Sequence, residues 1–111
     1  MAKALFLAWS SPVDEASDAE FESWYEGTHI PQVRAAIPAI SAVHRYRAAD
    51  VPAIPGAPAH RYLAVYELDT DDVAGAMAAL GAAAAGGLLD QTPTMDTTAN
   101  PPVLLWYQAA R

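Results

Sequence analysis

The chain has 111 residues, 53% of them apolar, and a formal net charge of −7. That size supports one domain, spanning residues 1–111, with a real but modest core. The charge excludes a partner that binds nucleic acid by neutralising phosphates and argues against an anionic membrane surface, and with no cysteine there are no disulfides, thiolate metal sites or cysteine nucleophiles.

Much of the apolar share is alanine, which buries little area, so the large side chains carry the packing. Trp9, Trp24 and Trp106 are accordingly core or pocket wall. The opening run Lys3–Ser10 is apolar at both parities and reads as a buried strand, too short for a membrane span or a signal peptide. No other segment approaches spanning length, and the expected compartment is cytoplasmic. After a polar loop, Ser17 and Glu20 have the spacing of a capping box, with Asp18 in the first helical turn. From there Phe21, Trp24, Tyr25, Thr28 and His29 follow a helical stripe. Pro31 lacks an N–H and disfavours helical geometry at Ile30, so the helix is expected to kink or restart there and stop before Pro38.

Ile40–Ala48 alternates and reads as a second strand, with His44 and Tyr46 sharing one face and Arg45 and Arg47 the other. A loop with three prolines follows, placing His60 at the surface. Arg61–Asp69 is the third strand, presenting Tyr62 and Tyr66 on one face. Thr70 is the expected N-cap of a second helix, whose inner stripe is Val73, Met77 and Leu80 and which Gly86-Gly87 ends. Leu88–Met95 is irregular and so placed that it can cover a pocket. Val103–Arg111 is the last strand. The order β-α-β-β-α-β is that of an α+β, ferredoxin-like fold with a four-stranded antiparallel sheet. Two helices cover one sheet face only, yet both faces are apolar, which predicts a homodimer packed sheet to sheet.

The pattern Phe21-x-x-Trp24-Tyr25-x-x-x-His29-x-Pro31, followed by Ile37-Pro38 and by Arg45-Tyr46, resembles the EthD-like group of the dimeric α+β barrel superfamily. That group usually reads His-Gly-Pro where this chain has His29-Ile30-Pro31. The resemblance implies a barrel-forming dimer with one pocket per subunit. It also implies relatives among polyketide cyclases, dehydratases, isomerases, cofactor-free monooxygenases and haem-degrading enzymes, so the fold alone does not fix the function.

His29 is the leading catalytic candidate, because an imidazole exchanges protons near neutral pH. The competing reading is structural: His29 caps carbonyls freed by Pro31. Tyr25 lies four residues before it and is the candidate helper. Phe21, Trp24, Trp9, His44, Tyr46, Tyr62, Tyr66 and Trp106 are the candidate substrate-binding wall. His29, His44 and His60 lack metal-ligand spacing, and no phosphate loop or nucleophile elbow is present, so no metal and no cofactor are expected. Haem on His29 has only the superfamily analogy behind it. The functional expectation is an enzyme acting on a hydrophobic, aromatic or polyketide-like small molecule by His-assisted proton transfer. The alternative is a non-catalytic ligand-binding or accessory dimer, and the two differ in whether losing His29 costs turnover or only stability.

Overall fold

A computed structural model describes residues 2–110. Its strands are β1 (Ala4–Ser10), β2 (Ile40–Arg47), β3 (Tyr62–Leu68) and β4 (Val103–Gln108). They form one antiparallel sheet in the order β2-β3-β1-β4. The helices are α1 (Asp18–Trp24), α2 (Ile30–Ala36) and α3 (Val73–Ala85). This is the α+β, ferredoxin-like order that the sequence predicts, and the strand ends agree to within a residue or so except at the C-terminus. There the expected strand ran to Arg111, which lies outside the described residues.

The register fixes what each sheet face carries. Phe6 stands opposite Tyr66 on β3 and Trp106 on β4. Their rings stack across the three strands, at 5.1 Å between Phe6 and Tyr66 and 4.1 Å between Phe6 and Trp106. Cross-strand aromatic pairs of this kind pin register as well as burying area. This face, with Ala4, Ala8, Ala64 and Leu68, meets Phe21, Tyr25 and Val33 from the helices to make the core. The opposite face carries Leu5, Leu7, Trp9, Leu63, Val65, Leu105 and Tyr107, and it is left partly exposed. Tyr107 is 50% exposed there and Leu105 39%.

Three helix signals resolve differently from expectation. Asp14, not Ser17, is the first cap: its extended backbone lets its carboxylate accept from Ser17 N–H at 2.8 Å, starting a 3₁₀ turn over Glu15–Ser17. Ser17 is then already helical and its side chain caps nothing. Likewise Asp72 caps α3 by accepting from Gly75 N–H at 2.9 Å, while Thr70 Oγ1 only braces the Asp72 N–H. The glycine stop behaves as expected: Gly87 is left-handed at φ 74°, and Leu88 N–H returns to the Ala83 carbonyl.

The third difference is at Pro31. Ile30 stays helical, at φ −57° and ψ −48°, and the chain neither breaks nor restarts. Instead Tyr25–His29 forms a π turn, with Ile30 N–H donating to Tyr25 C=O. The wider turn moves the residue 27 carbonyl out of the way of the proline ring, the clash that an α-helix would suffer. α2 then begins with proline in its first turn, where the missing donor costs nothing.

Candidate functional site

The π turn decides where His29 goes. In an α-helix, residues five apart point about 140° from one another. Here Trp24 and His29 lie one above the other, rings stacked with centroids 4.8 Å apart and planes at 23°. Tyr25 meets the same imidazole edge-on, also at 4.8 Å. The ring is thus held on two sides by aromatics before any ligand arrives.

His29 lines a cavity of about 420 Å³ between the sheet and the helices. Phe6 and Trp106 form its floor, Leu80 and Ala84 of α3 one wall, and Leu89 and Met95 of the irregular segment after α3 its cover. Among its lining residues the polar ones are Ser10, Tyr25 and His29, so the space is overwhelmingly apolar. A second cavity of about 230 Å³ lies on the other side of His29, beneath Trp24 and the segment Leu89–Thr97. That segment is tied down at several points: Asp90 N–H donates to Gln32 Oε1 at 2.7 Å, Val13 N–H to the Thr94 carbonyl at 2.8 Å, and Asp96 N–H to the Ser11 carbonyl at 2.9 Å.

The electrostatics favour a neutral imidazole. His29 Nδ1 is sealed from solvent and has no hydrogen-bond partner among the described residues. Burial first, and then the positive charge of Arg45, hold the His29 pKa down to about 4. The structural reading of His29 as a cap for carbonyls freed by Pro31 therefore finds no hydrogen bond to support it. Burial also raises the Tyr25 hydroxyl pKa, against the pull of Tyr66, Arg45 and Ser10 beside it. Tyr66 is raised as well, again chiefly by burial. Arg45 lies 4.1 Å over the Tyr25 ring and pairs with Glu22 at 2.6 Å and Glu26 at 3.3 Å, fixing that ring from above.

Of the ten expected site residues, the structure brings five to the cavities. Tyr25, His29, Trp9 and Trp106 border the larger one, and Trp24 the smaller. His44 and Tyr46 do not join them. They stand opposite Val65 and Leu63, on the sheet face away from the helices, because Arg45 between them takes the helix-facing position. His44 pairs there with Glu67. Phe21 of α1 and the helix-facing Tyr62 and Tyr66 of β3 are packed into the core, not the cavity wall. Tyr62 donates to Asp18 Oδ1 at 2.7 Å and lies against Phe21. His60, expected at the surface, is 8% exposed and donates through Nε2 to the Pro101 carbonyl at 2.8 Å.

Leu89 and Met95 come from the stretch whose position suggested a cover, but the small residues of α3 that make room for the cavity gave no separate signal. Among the described residues no group of three or more His, Asp or Glu side chains lies close enough to hold a metal ion, and no helix is long and apolar enough to cross a membrane.

Neither a protein-family model nor any curated protein matches the sequence. Solved structures do match along nearly its whole length. An EthD-like protein from Ralstonia eutropha JMP134 is 18% identical, with 97% of this chain and 93% of that one covered and a TM-score of 0.56. The haem degrader MhuD from Mycobacterium tuberculosis, solved with two haems in its active site, is 15% identical over 97% and 96%, with a TM-score of 0.60. A dimeric ferredoxin-like protein of unknown function from Thermobifida fusca is 17% identical over 96% and 90%, with a TM-score of 0.50. The chain has the α+β, ferredoxin-like fold of these structures.

Proposed function

We propose that the protein is a small-molecule enzyme that moves a proton on a hydrophobic, aromatic or polyketide-like substrate, with His29 as the exchanging group. The observation that carries this is a neutral imidazole, clamped between Trp24 and Tyr25, in the wall of an apolar cavity. With Nδ1 sealed, the Nε2 edge is the one a ligand meets. A C–H beside a ketone carbonyl gives its proton to Nε2, and the electron pair moves onto the carbonyl oxygen as an enolate. The Tyr25 O–H donates a hydrogen bond to that oxygen, and the nearby Arg45 charge favours the negative form. Return of the proton to another carbon completes an isomerisation, its transfer to a departing hydroxyl a dehydration, and attack of the enolate carbon on a second carbonyl of the substrate, with the proton passing to the alkoxide so formed, a cyclisation. An imidazole with a pKa near 4 is a weak base at rest, so its proton affinity rises only as anionic charge gathers beside it.

MhuD carries haem on the same fold. Among the described residues no Lys or Arg lines either cavity to receive haem propionates, so the residues present do not fit that group.

The test is solvent deuterium exchange into the methyl group of 2-acetylnaphthalene, followed by NMR. The wild-type protein is expected to accelerate exchange over buffer. His29→Ala is expected to fall to the buffer rate while still binding the ketone. Binding without acceleration in the wild type would leave the non-catalytic carrier as the reading.

The partly exposed sheet face supports a second proposal, that two copies pack face to face through Leu5, Leu7, Leu63, Val65, Leu105 and their neighbours. The dimeric T. fusca protein has the same fold. Sedimentation is expected to show a dimer for the wild type and a monomer for Leu105→Lys; a wild-type monomer at micromolar concentration would end this proposal.

A further inference from the structure

The cavity beneath Trp24 is not assigned by the function proposed above. It shares His29, Ala84, Leu89 and Met95 with the main cavity, so those side chains form the partition between the two spaces. Two of the four, Leu89 and Met95, sit on the irregular segment, and unbranched methionine adapts readily to what it touches. The two spaces differ in chemistry. Beyond the partition the main cavity is walled by aliphatic and aromatic groups, whereas the smaller one adds Asp90, Gln91, Thr92 and Thr97. Trp24 Nε1, on a residue that lines it, is buried without a hydrogen-bond partner among the described residues.

We infer that the smaller cavity is a second compartment of the site, receiving the hydrogen-bonding end of an amphipathic ligand whose apolar ring system fills the main cavity. His29 then stands at the joint between the two parts of the ligand, where a carbonyl linking ring and chain would lie. The charge of the compartment sets the class further. Asp90 borders it and, among the described residues, no Lys or Arg lines either space. The polar end is therefore a neutral group such as a hydroxyl or amide, and not a carboxylate, which would be desolvated beside a like charge. The inference rests on the main cavity being a ligand site.

Four probes separate the claims by equilibrium dialysis: naphthalene, 2-propylnaphthalene, 3-(2-naphthyl)propan-1-ol and 3-(2-naphthyl)propanoate. The alcohol is expected to bind about fivefold to tenfold tighter than the hydrocarbon of equal length, the worth of one added hydrogen bond. The carboxylate is expected to bind more weakly than the alcohol by at least as much. Thr97→Trp places bulk at an exposed position of the smaller cavity, and Gln91→Trp does the same from a second exposed position should the first disturb folding. Either filled variant is expected to erase the advantage of the alcohol and leave naphthalene binding unchanged. An alcohol no tighter than the hydrocarbon, an advantage that survives in both variants, or a preferred carboxylate would overturn the inference while leaving the main cavity as a ligand site. Failure of naphthalene itself to bind the wild type would remove the main cavity, and this proposal with it.

Discussion

Between pH 7 and pH 4.5 the protein is expected to lose about 2 kcal/mol of stability through His29 alone. The imidazole is held near pKa 4 in the folded state, against about 6.5 in the unfolded chain. Between those values the unfolded state binds the proton that the folded state refuses. Stability therefore falls as pH drops from 6.5 towards 4 and levels off below that. Urea denaturation at pH 7 and pH 4.5 measures the loss, and His29→Gln isolates it from the other titrating groups. The difference between wild type and variant should change by about 2 kcal/mol across the window. An unchanged difference would mean that the imidazole is solvated, and the proposed site would go with it. Activity carried by the neutral ring should persist down to about pH 5, lower than an ordinary histidine allows.

Phe21→Ala is expected to cost about 3–5 kcal/mol, the range for removing a fully enclosed phenylalanine. Phe21 is completely buried and its ring centroid lies 5.6 Å from those of both Tyr25 and Tyr62 and 6.3 Å from that of Trp24. It lines neither of the two cavities at His29, yet it backs the two aromatics that grip His29. The same variant should thus move the His29 pKa upward, as the loosened cluster admits water. Urea midpoints give the first effect and an NMR titration of the imidazole the second. A stability loss with no change at His29 would show that Trp24 and Tyr25 are positioned independently of Phe21.

The fold was readable because its signals are local and periodic. Alternating apolar strands, the Gly86-Gly87 stop and the element order follow from neighbours in sequence, and the apolar parity of β1, β3 and β4 announced two greasy sheet faces. The site was readable only in part. Tyr62 and Tyr66 share the parity of residues that face the helices, but parity cannot say whether a residue meets packed side chains or empty space. Strand alternation pairs His44 with Tyr46 and Tyr62 with Tyr66 but does not say whether the two pairs share a face; register separates them, because Tyr46 stands opposite Leu63 and His44 opposite Val65. His60 was misplaced because its partner, Pro101, is 41 residues away. At the helix starts an aspartate near each expected cap, Asp14 before Ser17 and Asp72 after Thr70, accepts from the free N–H groups in place of the residue whose spacing fitted the motif. Pro31 was seen as a break since α geometry was assumed on both sides of it.

The π turn at Tyr25–His29 makes the site a matter of phase rather than of composition. One residue more than an α-helical turn would hold is stored there, opposite no neighbour that needs it: a side chain on Gly27 would meet nothing within 4 Å. Wound instead as an unbroken α-helix, the same residues would put Trp24 and His29 about 140° apart. α2 would stand rotated by about 100° against α1, carrying Val33 off the core and His29 out of line with Trp24. The extra residue thus keeps the two halves of the helix in phase; a chain without it would still hold Trp24 and His29 on one face, four residues apart, but would set Pro31 against the carbonyl four residues before it.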